Sequence, residues 1–108
     1  MIEAGNIFAD VPTHHPAEEI TPLLTKPNVR IERIVSHGHS SAPGFWYDQD
    51  EAEWVIVLDG AAEILFEGEA TPRILKRGDY LFIPAHARHR VDSTDTVTPT
   101  VWVAVHIA

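Results

Sequence analysis

Cysteine is absent from this 108-residue sequence, which excludes disulfides, thiolate metal ligands and a cysteine nucleophile. Long apolar runs are missing too, because none approaches the roughly 20 residues that cross a bilayer. The first residues, Met-Ile-Glu-Ala-Gly-Asn, show neither the basic nor the apolar region of a signal peptide. We therefore expect a soluble protein of the cytoplasm that makes no membrane contact.

Basic residues are scarce, since 8 Lys and Arg face 16 Asp and Glu, for a net charge of −8. Nucleic-acid binding depends on a basic surface that displaces counterions, so nucleic acid is excluded as a partner. A Gly-x-Ser-x-Gly elbow and a phosphate-cradling glycine loop are also missing. A small molecule is the expected partner. Histidine, by contrast, is plentiful and clustered: His14, His15, His37, His39, His86, His89 and His106.

The length suits one domain. Residues 1–28 hold four of the eight prolines and predict a short N-terminal arm, which is irregular or forms an edge strand. Pro16 could begin one helical turn at 16–20. The neighbouring His14 and His15 are expected at the surface. Residues 29–108 form the main body of the domain.

From residue 29 onward, short apolar and alternating segments predict strands, at 29–36, 53–58, 62–67, 72–76, 79–83, 88–92 and 99–107. Asp59-Gly60 favours a tight hairpin, and 67–68 and 77–79 are similar turns. Many short strands with glycine turns indicate an all-β sandwich or barrel. Residues 80–83 and 100–105 are apolar on both faces, so a second subunit is expected to cover the outer face. The sequence thus predicts a homodimer.

Two glycine-anchored motifs follow each other in this region. The first is Glu53, six residues, then Gly60, and the second is Gly78, five residues, Pro84, then His89. Over about residues 29–107 the chain resembles the cupin superfamily, and Gly44-Phe-Trp-Tyr-Asp-Gln49 resembles a block of small, uncharacterised bacterial cupins. The resemblance implies an antiparallel cupin β-barrel, also called a double-stranded β-helix or jelly roll. It also implies a divalent metal in the barrel mouth, with His89 and Glu53 as its firm ligands.

The match to the first cupin motif is incomplete, because His-x-His should stand three or four residues before Glu53. Those positions hold Tyr47 and Gln49 with one gap, or Trp46 and Asp48 with the other. A true His-x-His, His37-Gly-His39, also exists, with thirteen residues between His39 and Glu53. Either Tyr47 and Gln49 replace the usual ligands, or His37 and His39 reach the metal from a longer loop. Nitrogen and oxygen ligands of this kind suit Fe, Mn, Ni or Zn.

Strand alternation supports inward positions for the two anchors. Glu53 shares a strand face with Val55 and Val57. His89 points to the face opposite that of its two flanking arginines, Arg88 and Arg90. A buried carboxylate or imidazole needs a partner, and a metal would provide one. If the strand is regular from Tyr47, then 47, 49 and 53 point to the same side, whereas a bulge at 50–51 would turn Asp48 inward. Candidate substrate-pocket residues are Trp46, His86, Trp102 and His106.

Two classes of function fit these observations. The first is a metal-dependent enzyme of the dioxygenase, isomerase or lyase type that acts on a small oxygenated molecule. The alternative is a non-catalytic module that holds a small ligand in the barrel. Fold alone does not decide between them, and no residue is assigned a catalytic role at this point.

Overall fold

The computed structural model describes residues 1–12 and 17–108. His14, His15 and Pro16, for which a surface position and a helical turn were predicted, lie outside the described residues. The rest forms eight β-strands, which are β1 (Glu19–Lys26), β2 (Val29–Ser36), β3 (Ala52–Asp59), β4 (Ala61–Phe66), β5 (Arg73–Lys76), β6 (Tyr80–Ile83), β7 (His89–Thr94) and β8 (Thr100–Ile107). Within the described ranges, no helix has the length and apolar character needed to traverse a bilayer.

The strands form two antiparallel sheets that pack face to face. One has the order β1-β2-β8-β3-β6 and the other the order β5-β4-β7. Consecutive strands often lie in different sheets, as in the jelly roll that the sequence predicted. Alternate residues of each strand point between the sheets. The buried core consists of Val55, Val57, Ala62, Ile64, Leu75, Ile83, Trp102 and Ala104.

The second half of the predicted arm is an edge strand rather than an irregular segment. Residues of β1 pair with β2 from Glu19↔Val35 to Lys26↔Val29, with a bulge between Pro22 and Leu24. Proline is tolerated there because an edge strand leaves one row of backbone groups unpaired. The chain before β1 is also tied down, since Arg33 of β2 donates to the carbonyl of Ala9 at 2.6 Å.

The hairpin predicted at Asp59-Gly60 is wrong. Strand β3 pairs with β6 and β8, whereas β4 pairs with β5 and β7, so residues 59–60 carry the chain from one sheet to the other. Gly60 does adopt a positive φ of 80°. A Cβ at this position would come within 2.5 Å of Thr100 Oγ1, so the corner requires glycine for space as well as for conformation.

Candidate functional site

A cavity of ≈ 300 Å³ lies between the two sheets. Small-molecule sites usually have volumes of roughly 300–1,000 Å³, so this one suits a compact ligand. Its apolar wall comes from both sheets and its polar groups come mainly from β2, β3, β7 and β8. The lining residues are Glu18, Ile20, Arg30, Glu32, Ile34, Tyr47, Gln49, Glu53, Val55, Ile64, Ile83, His89, Val91, Trp102 and His106.

Glu53 faces this cavity from the start of β3. It is 9 % exposed and alternates with the buried Val55 and Val57, as the strand pattern predicted. Its neighbours across the sheet are His106 on β8 and Ile83 on β6. Burial raises the pKa of the Glu53 carboxyl, while His106 and His89 act in the opposite direction. The carboxyl of Glu53 therefore favours its protonated, uncharged form more than the carboxyl of a surface glutamate does.

His89, at the start of β7, is buried and has a defined tautomer. Its Nδ1 lies 2.8 Å from the carbonyl oxygen of Ala87, and a carbonyl only accepts, so Nδ1 carries the proton. The lone pair of the neutral ring is therefore on Nε2. Tyr47 stacks on the ring at 5.3 Å between centroids, and Phe66 lies at 5.6 Å. A ring fixed through one nitrogen by a backbone carbonyl is typical of metal-binding histidines.

Tyr47 and Gln49 line the cavity, and Asp48 between them is exposed. The reason differs from the predicted one, because β3 begins only at Ala52 and no regular strand runs through 47–51. Instead, Tyr47 forms an isolated bridge with His89 on the other sheet, with N–H···O distances of 2.7 and 3.1 Å. This bridge brings the 47–49 segment to the cavity.

The Tyr47 hydroxyl is held in its protonated form. Burial raises the pKa of Tyr47, and the carboxylates of Glu18 and Glu53 raise it further. A neutral phenol is a hydrogen-bond donor and a weak metal ligand. Tyr47 therefore suits contact with a ligand oxygen better than phenolate coordination.

The buried His106 and the half-buried Glu32 form a hydrogen-bonded pair on adjacent strands. The distance from His106 Nε2 to Glu32 Oε1 is 3.0 Å, and His106 is 5 % exposed. The other oxygen of Glu32 accepts from Nε of Arg30 at 3.3 Å, and Arg30 also binds both carboxylate oxygens of Glu51. With both of its carboxylate oxygens engaged, Glu32 orients the ring of His106 in the cavity wall.

His37 and His39 do not line the cavity. They follow β2 in a loop in which Gly38 N–H donates to Asp95 O at 2.9 Å and Thr94 Oγ1 donates to His39 O at 2.7 Å. These contacts hold the loop beside the end of β7, whereas His89 and the cavity wall lie at the start of β7. Of the two alternatives left open by the sequence, the structure brings Tyr47 and Gln49 to the anchors.

Of the four candidate pocket residues, Trp102 and His106 line the cavity and Trp46 and His86 do not. Arg88 lies over the ring of Trp46 at 5.8 Å, outside the cavity. The side chain of His86 is exposed, with Nδ1 at 2.7 Å from Asp48 and Nε2 at 3.3 Å from Asp50. Both side chains thus lie outside the cavity.

Sequence reasoning missed Glu18, Arg30 and Glu32 as cavity residues. For Arg30 and Glu32 a signal existed, because they share the strand phase of the apolar Ile34, which also lines the cavity. For Glu18 there was none, since it precedes β1. It is positioned by a chain in which Trp102 Nε1 donates to Ser36 Oγ at 3.2 Å and Ser36 Oγ donates to Glu18 at 2.7 Å.

The donor set fits a divalent metal through two strong ligands. His89 offers Nε2 and Glu53 a buried carboxylate, and Gln49 adds an amide oxygen. Within the described part of the chain, no three His, Asp or Glu side chains gather into a metal-binding group. A metal held here would keep open positions for other ligands.

The comparisons with known proteins agree with this architecture. The family model described as the cupin domain matches residues 32–106, so the chain belongs to the cupin family. A protein of Ralstonia eutropha JMP134, provisionally named a mannose-6-phosphate isomerase, is 52% identical over 98% of both chains, with a TM-score of 0.96. Among curated proteins, none matches this chain.

More distant structures share the fold alone. An RmlC-like cupin with a double-stranded β-helix from Methanocaldococcus jannaschii is 17% identical over 99% of this chain and 92% of its own, with a TM-score of 0.74. A cupin superfamily protein of Desulfitobacterium hafniense DCB-2 is 17% identical over 99% of this chain and 93% of its own, with a TM-score of 0.76. These similarities support the all-β cupin fold.

Proposed function

We infer that this cupin is a metal-dependent isomerase that acts on a small oxygenated molecule in the cavity between its sheets. The observation that carries this proposal is the gathering of Glu53, His89 and the His106–Glu32 pair around one cavity. The name of the Ralstonia relative supports the isomerase class over the dioxygenase and lyase classes.

In this proposal His89 and Glu53 hold a divalent transition metal (Fe, Mn, Ni or Zn), with Gln49 as a further oxygen ligand. Such an ion, when bound, polarises a carbonyl or hydroxyl oxygen of the substrate. Tyr47, whose hydroxyl stays protonated, donates a hydrogen bond to a ligand oxygen. The apolar side chains of the wall exclude water from the same space.

The His106–Glu32 pair moves the proton. The neutral ring of His106 shares its Nε2 proton with Glu32, so it takes up a second proton at Nδ1. Glu32 stabilises the resulting imidazolium through the same hydrogen bond. His106 takes the proton from the carbon next to the substrate carbonyl and returns it to the carbonyl carbon, while the proton of the adjacent hydroxyl passes to the carbonyl oxygen. The two isomers thus interconvert with no net change in composition.

Deuterium exchange tests the isomerase. The protein, loaded with each metal in turn, is incubated with small aldoses and ketoses in deuterated water, and NMR detects deuterium at the carbon next to the carbonyl. We expect exchange with the native metal, reduced roughly 10²–10⁴-fold in His106→Gln, the range typical of a lost acid–base group. His39→Gln, outside the cavity, is the matched control. Protein that binds metal but exchanges no substrate proton contradicts the isomerase.

One observation favours a second candidate, the non-catalytic binding module. Among the described side chains, no group of three His, Asp or Glu is formed, so the metal would rest on two strong ligands. A binding module would show saturable ligand binding without exchange in the same experiment.

The proposal also covers location and assembly. We place the protein in the cytoplasm as a homodimer, and cell fractionation followed by sedimentation of the purified protein tests both statements.

A further inference from the structure

The polar wall of the cavity consists mainly of hydrogen-bond acceptors. His89 uses its Nδ1 proton on Ala87 O, and His106 uses its Nε2 proton on Glu32. The neutral ring of His106 therefore offers its other nitrogen to a ligand as an acceptor, whereas Nε2 of His89 is the atom assigned to the metal. In His106 this atom, Nδ1, is buried and has no hydrogen-bond partner among the described residues.

The charged side chains of the cavity wall are also mostly acceptors, because most of them are carboxyl groups. Glu18, Glu32 and Glu53 bring three carboxyl groups to the cavity, and among its described lining residues Arg30 is the one side chain with a permanent positive charge. Arg30 is already paired with Glu32 at 3.3 Å and with Glu51 at 3.1 Å. Little positive charge is left for an anionic ligand.

We propose that the ligand of this cavity is an uncharged, polyhydroxylated molecule such as a free sugar, and that phosphate esters are excluded. This rests on the proposed function, whose substrate class it specifies. Hydroxyl groups donate to carboxylates and to imidazole nitrogens, so such a ligand satisfies the acceptors of the wall. Its C–H surface packs on the apolar side chains that complete the cavity, among them Ile34, Ile64 and Val91.

A phosphate ester matches the same wall poorly. Near neutral pH it carries close to two negative charges and offers acceptor oxygens where the wall also offers acceptors. A metal held by His89 and Glu53 would offset part of the negative charge, and Glu32 is paired with Arg30. The carboxylate of Glu18, which accepts from the neutral hydroxyl of Ser36, would still face the ligand. The negative phosphate beside a negative carboxylate strongly disfavours binding, so the wall discriminates against phosphate esters. The substrate therefore differs from the sugar phosphate in the name of the Ralstonia relative.

The test compares one sugar with and without its phosphate. D-mannose and mannose 6-phosphate are titrated into ¹⁵N-labelled protein, with and without Zn, and the indole N–H of Trp102, which lines the cavity, is the NMR reporter. We expect mannose to bind at least about tenfold more tightly than its phosphate in both forms. Glu18→Gln should narrow this ratio, whereas the same change at the exposed Glu67 should leave it unchanged.

Each outcome decides the proposal. Tighter binding of mannose than of mannose 6-phosphate, with a smaller ratio of affinities in Glu18→Gln, supports the proposal. Equal or tighter binding of the phosphate ester overturns it, and so does the absence of any shift with either compound. The proposed isomerase is decided separately by metal content and deuterium exchange, so a sugar phosphate that exchanged deuterium would contradict the ligand class and leave the isomerase standing.

Discussion

His89 has the most defined chemistry of any single residue in this cavity, because one hydrogen bond sets its tautomer. Nδ1 is committed to Ala87 O, and Tyr47 and Phe66 fix the plane of the ring. Glu53 differs, since it is buried and its pKa is raised. A metal would provide the charge that makes an ionised Glu53 stable in this position.

Loss of His89 should remove the metal. We expect His89→Ala to be purified with little bound metal, because the imidazole is one of the two strong ligands in the proposed site, while His39→Ala keeps the wild-type content. Elemental analysis of both variants by plasma mass spectrometry gives the answer. Full occupancy in His89→Ala would contradict the assignment, and loss in His39→Ala would show that the loop histidines hold the ion.

His86 has an unusual backbone and a titratable side chain. It has a φ of 63°. Side chains rarely adopt this conformation, which costs roughly 1–2 kcal/mol. The side chain bridges Asp48 and Asp50, and the backbone N–H donates to Gln49 O at 2.8 Å. His86 thus fastens the segment that carries Tyr47 and Gln49.

The bridge from His86 to Asp48 and Asp50 predicts that the stability of the protein depends on pH. The hydrogen bond that His86 Nδ1 donates to Asp48 raises the pKa of His86 above its ordinary 6.5, and the charges of Asp48 and Asp50 add to this. Its stabilising contribution is therefore fully present below pH 6.5 and is lost as the pH rises through the higher pKa of the folded state. An NMR titration of the ring measures the value, and Asp48→Asn should return it toward 6.5. A wild-type pKa at or below 6.5 would contradict the bridge.

Among the structural elements, the corner between β3 and β4 determines which strands share a sheet. Gly60 packs against Thr100, the first residue of β8, and Ala61 N–H donates to Thr100 Oγ1 at 3.3 Å. The same hydroxyl donates to Ala61 O at 3.1 Å. The chain can therefore leave the larger sheet here and enter the smaller one without leaving these groups unpaired.

Gly60→Ala should destabilise the fold more than Gly68→Ala. Both glycines have a positive φ, but a Cβ at Gly68 meets nothing within 4 Å, whereas one at Gly60 collides with Thr100. We expect the free energy of unfolding to fall by about 1–2 kcal/mol in Gly68→Ala because of the backbone conformation. In Gly60→Ala we expect a further loss of ~1–3 kcal/mol from overpacking. Urea denaturation of the two variants measures the difference. Equal losses of stability in the two variants would show that the chain around Gly60 shifts to make room for the added Cβ.

For the whole molecule, the outer face of the five-stranded sheet carries large apolar side chains. Tyr80 and Phe82 on β6 are 63 % and 59 % exposed, and Trp54 on β3 pairs with Phe82 across the sheet. Valines of β8 continue this face. Large exposed apolar patches usually mark interaction sites, so this is the surface that we assign to the proposed homodimer.

Phe82→Glu should convert the dimer to a monomer, because it would place a charge in the buried part of the interface. Ile74→Glu is the matched control, since Ile74 is 64 % exposed but lies on the smaller sheet. Sedimentation velocity at micromolar concentration distinguishes the two states. A monomeric wild type, or a dimer that survives Phe82→Glu, would contradict this interface.

The sequence by itself determined the strands and the fold class. Every strand from β2 to β8 was predicted to within two residues, because period-two alternation and glycine turns are local signals. It also placed Glu53 on the inner face of β3. Motif spacing then led to the cupin family, which the family model confirms.

Only the tertiary structure decided which strands pair and which polar groups meet. Asp59-Gly60 has the local chemistry of a hairpin, but its contact with Thr100, forty residues away in the sequence, sends the chain to the other sheet. In the same way, the bridge from Tyr47 to His89 and the pairing of His106 with Glu32 join residues from distant segments. Such contacts depend on the packing of whole sheets, so local sequence patterns did not predict them.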